Sequence, residues 1–523
     1  MAIIYQLKDR RVIPNWRDFK RTIQLGELGN NWESNNIIKF NIDQQIRDWN
    51  NRKNIGTASD LINSAFVSRL HENTDVEDAA QFIIDNSENS SNILNDIAKK
   101  LIEDPKREML FSKTNSKNSL LEKKISSVED FTNLTDYKAI HKIISKTKAQ
   151  IHGQLNNPIP YVELARLYAM QGQDAKAEQA ILTALFLAPN NRFVLRSSVR
   201  FFVHIESFDK ALFYLRKSDR TKYDPWLISA HIATSSLMDR YSPLIKNGQG
   251  MIKNLNYSNF DLTELNSSIG TLELMSGTFK KAKTHIDEAL KNPNDNSLAQ
   301  IEWMSKHDNR IRFNPFNFTN VINPFEAFAI DQYRSGDWES ALINSLNWFV
   351  DMPYSKRPIL LGSYIAGSLL NNKELAIKIC QIGLRANPND PTILNNIIYS
   401  IATSEDIKLL DKYTSKLENI DLKNLSVESQ ITFQATLGLI YLKKGEKKLG
   451  IDFYTTAMIN AKRVGNEYLE NLALINLTLE LTKQKYSERL IYIKRVESLP
   501  ESSKNKDVDK LRKQILSLEK SNH

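Results

Sequence analysis

Between Pro158 and Asn191 the chain reads PIPYVELARLYAMQGQDAKAEQAILTALFLAPNN. Tyr161, Leu164, Ala165 and Tyr168 recur at helical spacing, Gly172 interrupts the run, and Ala177, Ile181 and Ala184 form a second stripe that ends before Pro189. The spacings are those of a two-helix unit of about 34 residues. Such a unit cannot bury its apolar face alone; it stacks on copies of itself, and the stack leaves a long concave surface.

Further units can be phased from this one. The second starts at Arg192, with Phe202, Ala211 and Leu215 in place. The third starts near Tyr223 with Trp226 and Ala230, after which Ser242-Pro243 and Asn247-Gly248 break the pattern. A fourth starts at Thr263, a fifth at Ile322, a sixth at Arg357, a weak seventh at Pro391 and an eighth at Ile431. Helices near 467–483 and 486–497 close the stack. Ala177, Ala211, Ala282, Ala341 and Ala376 share one repeat position, where two helices cross closely and a larger side chain would wedge them apart. Gly172, Gly277, Gly336 and Gly445 fall at the turn inside the pair, where positive φ is needed. Pro189, Pro353 and Pro388 end second helices.

Residues 1–157 read less clearly. Ile13-Pro14-Asn15-Trp16-Arg17 looks like a turn entering a helix, because Trp16, Phe19 and Ile23 recur at helical spacing. Helices are predicted over about 75–84 and 91–102, joined by Asp85–Asn89, and helical periodicity returns over 128–151. Residues 104–127 are polar and are expected to be mobile.

From Pro158 onward the repeat residues make the chain resemble a tetratricopeptide-repeat protein, over roughly 158–483. The resemblance implies a right-handed superhelix of helix pairs whose first helices line a groove for a peptide or a partner's surface. Carried onto this chain, it places Arg166, Arg196, Arg200, His231, Tyr333 and Arg334 in that groove, along with Val162, Leu227, Ser267, Thr271 and Glu326. Family members that clamp a terminal carboxylate use Lys and Asn where Val162 and Arg166 stand, so that clamp is not expected.

Composition narrows the function classes. The chain is 41% hydrophobic and 25% charged, ordinary for a globular protein. Cys380 is the single cysteine, so no internal disulfide can form. No apolar stretch suits a signal sequence or a span of about 18 residues, and a cytoplasmic location is expected. The net charge of +9 is uneven: residues 192–253 hold eleven Lys/Arg against five Asp/Glu. Arg192, Arg196 and Arg200 lie four apart on one helical face and suggest an acidic or phosphorylated partner segment. The eight histidines show no metal-ligand spacing, and no phosphate-cradling loop or nucleophile elbow is present.

The expected architecture is therefore an all-α, right-handed α-solenoid over 158–497. A helical region, 1–157, precedes it, and a polar tail expected to be helical or disordered, 498–523, follows. The expected function is a non-enzymatic scaffold or regulatory subunit with no catalytic residue, metal or cofactor, and with a protein as partner. A peptide- or ligand-responsive regulator, or a nucleic-acid-associated factor using the basic stretch 192–253, are the competing readings.

Overall fold

The structure is a computed structural model. It describes residues 1–2, 9–24, 43–68, 73–90, 92–103, 131, 137–153, 155–253, 257–319, 321–404, 409–417, 421, 423, 425–501 and 505–521. Among the described residues all regular structure is helical, and successive helices stack as pairs, so the fold is an all-α solenoid. The segment 104–127 lies outside the described residues.

The chain divides into two compact units. The amino-terminal unit comprises Arg10–Lys124 and Thr132–Ala327; the carboxy-terminal unit comprises Met1–Asp9, Ile125–Phe131 and Phe328–His523.

In the amino-terminal unit, α1 (Phe19–Gln24) follows an extended stretch. Helices α2 (Asp43–Asn51), α3 (Ile55–Ser68), α4 (Thr74–Asp85) and α5 (Asn92–Glu103) bury Trp49, Leu61, Ile62, Val76, Ile83 and Leu94 in one cluster. After α6 (Tyr137–Gly153) come the pairs α7 (Pro158–Ala169) with α8 (Asp174–Leu187), α9 (Arg192–His204) with α10 (Phe208–Lys217), α11 (Pro225–Ser236) with α12 (Ile245–Lys253), and α13 (Asn259–Met275) with α14 (Phe279–Ala289). Helix α15 (Asp295–His307) follows; among the described residues between it and Phe325, the one helical element is a 3₁₀ turn at Pro315–Asn317.

The carboxy-terminal unit begins within α16 (Phe325–Ser335) and continues with α17 (Trp338–Asp351), α18 (Lys356–Tyr364), α19 (Lys373–Ala386), α20 (Pro391–Ala402) and α21 (Leu410–Leu417). It ends with α22 (Val427–Lys443), α23 (Lys447–Arg463), α24 (Glu467–Lys483), α25 (Arg489–Glu497) and α26 (Lys506–Ser521).

The repeat punctuation works as its chemistry predicts. Asn157, Asp224 and Asp390 cap α7, α11 and α20 by accepting from backbone N–H groups, and each is followed by a proline at the first helical position. Gly172, Gly277, Gly336 and Gly445 all have positive φ, between 64° and 87°. Ala177, Ala211, Ala282, Ala341 and Ala376 are fully buried at helix crossings, where added volume would cost about 1–3 kcal/mol.

Two expectations are corrected. Asn247-Gly248 does not break the third unit; it lies inside α12. A Cβ at Gly248 would stand 3.0 Å from Leu265 and 3.3 Å from Ile228, so this glycine lets α12 approach α11 and α13 closely. Trp16 is not part of a helix with Phe19. The chain stays extended through Asp18, whose Oδ1 accepts from the Arg21 N–H and so starts α1 late.

Candidate functional site

The site grows from the extended stretch before α1. Pro14 disfavours the helical region for Ile13, and the Ile13 N–H closes a tight turn onto the Arg11 carbonyl at 2.7 Å. Residues 9–18 form no helix or strand, yet Arg10, Val12, Ile13, Trp16 and Arg17 are all buried. Their backbone and side-chain polar groups must therefore find partners outside the segment.

Those partners come from the first helices of successive pairs, together with α15 and α16. The Arg10 guanidinium forks onto Glu326 of α16 at 2.9 and 3.0 Å. It also donates to Gln300 Oε1 and Asn296 Oδ1 of α15, both at 2.9 Å. The same two amides read the main chain: Gln300 Nε2 donates to the Arg10 carbonyl and Asn296 Nδ2 to the Ile13 carbonyl, each at 3.1 Å. Arg17 and Asn15 both donate to Asp295 Oδ2, and Arg11 donates to Ser236 of α11. The Phe19 N–H donates to Glu163 of α7 at 3.0 Å. Trp16 meets Phe201 edge-on, and Phe19 meets Phe193 in the same way, both on α9.

Beneath this segment the wall is braced by buried ion pairs. Arg196 of α9 forks onto Glu264 of α13 at 2.7 and 3.1 Å, and its guanidinium lies 4.5 Å from the Trp226 ring centre. Asn294 and Asn296 each add a 3.0 Å hydrogen bond to Glu264. Burial alone would raise the Glu264 carboxyl; the Arg196 charge and these hydrogen bonds outweigh burial and hold it below the usual range. Asp224 is likewise held low, against its burial, by Arg192 and Arg220. Arg192, Arg220 and Asp224 are at most 2% exposed, so this cluster is internal.

The sequence-derived candidates separate into distinct environments. Arg166 and Arg200 are half-buried on α7 and α9, and Arg166 Nη1 lies 3.8 Å from Met170 Sδ. Arg196 does not offer its charge to an open groove, because Glu264 takes it. His231 is a core residue: Nδ1 pairs with Ser242 Oγ at 2.9 Å and Ser235 Oγ at 3.3 Å. Burial, helped by the Arg216 charge, lowers its pKa to about 4, so the ring is neutral.

Tyr333 and Arg334 belong to the carboxy-terminal unit. There Tyr333, Tyr364 and Tyr468, from α16, α18 and α24, all donate to Asp507 Oδ2 of α26 at 2.8 Å. Burial and then the Asp507 charge push all three phenols well up, so they remain protonated donors. Val508, Leu511 and Ile515 of α26 are buried beside them. Arg334 is half-buried at the end of α16. In the same unit the Met1 carbonyl accepts from Asn395 Nδ2 at 2.7 Å and Thr436 Oγ1 at 3.2 Å.

Asp295, Asn296 and Gln300 are the functional residues that repeat phasing missed. Among the described residues their helix lacks the partner helix that defines a unit. A local signal was nevertheless present: Asn294 and Ser297 form a reciprocal capping box ahead of an apolar run. Glu326, carried over from the repeat pattern, does line the segment.

Among the described residues no helix is long and apolar enough to cross a membrane. No protein-family model matches the chain. No curated relative matches it. Among solved structures, the crystal structure of the yeast Tom70 aligns with 92% of this chain and 97% of its own, at 9% identity and a TM-score of 0.31. The site rests on the contacts above and not on that alignment.

Proposed function

We propose that this chain is a non-enzymatic scaffold that holds an extended segment of a partner protein along the first helices of its amino-terminal unit. One observation carries the reading: Gln300 and Asn296 donate to main-chain carbonyls of an extended stretch while Glu326 and Asp295 take its arginines. Side-chain amides that read a peptide backbone, with carboxylates that read its side chains, are the equipment of a polypeptide-binding surface.

The chemistry favours a cationic segment over the acidic or phosphorylated one suggested by Arg196 and Arg200. Glu163, Asp295 and Glu326 are the groups that meet the occupant, whereas Arg196 is held by Glu264. Nucleic acid is the weaker reading for a related reason. Of the eleven cations in 192–253, Arg192, Arg196 and Arg220 are buried in internal ion pairs.

Site-specific photocrosslinking tests the proposal. A photoreactive residue at Arg200 is expected to capture a partner protein, and one at Phe186, 79% exposed on α8, is not. Equal capture at both positions, or capture at Phe186 alone, would rule the reading out.

A further inference from the structure

The stretch Asp9–Phe19 has the properties of a ligand. It has one backbone hydrogen bond of its own between residues 9 and 18, the Ile13–Arg11 turn. Apart from the Asp18 carboxylate that starts α1 at Arg21 and an Arg11 bond to the neighbouring Arg10 carbonyl, its polar contacts described above reach residues of α7, α11, α15 and α16 that lie 144 to 316 positions away in sequence. Each is a contact that an unrelated polypeptide could make equally well: guanidinium to carboxylate, amide to carbonyl, ring edge to ring face.

The carboxylates limit how such a segment can leave. Departure alone would remove the guanidinium partners of Glu326 and Asp295, whose side chains are only 11% and 12% exposed. Taking these cations away from partly buried carboxylates is unfavourable. Departure coupled to the arrival of equivalent cations avoids that cost. The exchange therefore selects incoming segments by charge and by spacing.

Resting on the scaffold reading, we propose that residues 9–19 are a tethered stand-in for a partner's segment. The partner presents an extended stretch with an arginine, a tryptophan six residues later and a second arginine beside it, and it enters by displacing the chain's own segment. Asn296, Gln300, Glu326 and Asp295 set the register, and the α9 aromatics receive the tryptophan.

The test uses the full chain and a fluorescent peptide with the sequence of residues 9–19, DRRVIPNWRDF. The double variant Arg10→Glu, Arg17→Glu loosens the internal segment and leaves the wall intact. A site that is free only a tenth of the time binds about tenfold more weakly than an open one. The variant is therefore expected to bind the peptide at least about tenfold more tightly than the unaltered chain. A peptide with glutamate at both arginine positions is expected to bind neither chain.

In a second arm, excess peptide added to the unaltered chain is expected to speed amide hydrogen exchange in residues 10–19. This arm stands if the double variant does not fold, and Trp16→Ala then replaces it in the first. Equal peptide binding by both chains overturns displacement and leaves the scaffold reading untouched. Absence of peptide binding by a folded variant, with unchanged exchange, overturns the inference; the scaffold reading is decided separately by the crosslinks. A concentration-dependent dimer of the variant that excludes the peptide also overturns it, because a second copy then fills the wall.

Discussion

The inner faces of the two units hold parts of the same chain by different chemistry. The amino-terminal unit grips an extended stretch with carboxylates, amides and one hydroxyl spread over four helices. The carboxy-terminal unit grips a preformed helix, α26, with three phenols converging on one carboxylate oxygen and a row of buried aliphatics. An extended segment exposes its carbonyls, so a wall that reads it needs donors aimed at the main chain. A helix has already satisfied most of its carbonyls, and recognition falls to one polar side chain and an apolar stripe. The same repeat scaffold supports both because each first helix can place any side chain on the inner face.

The largest effect is expected beneath the amino-terminal wall. Glu264→Ala removes the carboxylate onto which buried Arg196 forks and takes one acceptor from each of two asparagine amides, a loss of about 3–5 kcal/mol measured by denaturant unfolding. Glu264→Gln keeps the shape and should cost less. If both variants unfold like the parent, the ion pair does not brace the wall.

Next comes the carboxy-terminal anchor. Asp507→Ala removes the shared acceptor of three phenols, buried Tyr364 and half-buried Tyr333 and Tyr468, and should cost about 1.5–3 kcal/mol locally, read as faster hydrogen exchange in α26 with little change at residues 10–19. Equal acceleration in both places would erase the contrast between the units.

Acid sharpens the contrast. A histidine whose pKa is lowered to about 4 in the fold contributes stability that is fully present above about 6.5. That stability is lost as pH falls through about 4. Asp60 has the opposite sign: burial, opposed by Arg220, raises it to about 7, so its contribution declines as pH rises toward 7. Comparing His231→Gln with the parent between pH 4 and 7 cancels Asp60, and the variant should lose less stability on acidification. The three phenols titrate far above this range. A parallel pH response in the two chains would show that His231 is not held neutral. The smallest effect is expected for Tyr468→Phe, about 0.5–1.5 kcal/mol on α26 exchange, because two donors remain on Asp507.

What the sequence disclosed follows from which forces are local. The alanine crossings, the positive-φ glycines and the caps at Asn157, Asp224 and Asp390 depend on residues a turn or one repeat away, and periodicity exposes them. The position of Arg196 on an inward helical face was legible as well. Its partner was not, because Glu264 lies 68 residues further along and nothing in the repeat marks it. Trp16 kept helical spacing with Phe19 only by coincidence; the wall holds that stretch extended. Helix α15 escaped because phasing looks for pairs, and among the described residues it stands without one.

The Asn296 side-chain nitrogen serves two acceptors, the Ile13 carbonyl and Glu264 Oε1. When the first leaves, the second still fixes the rotamer. The vacated surface is thus preorganised, and the next arrival loses little conformational entropy there. Competing segments would then differ mainly in residence time and much less in how fast they arrive.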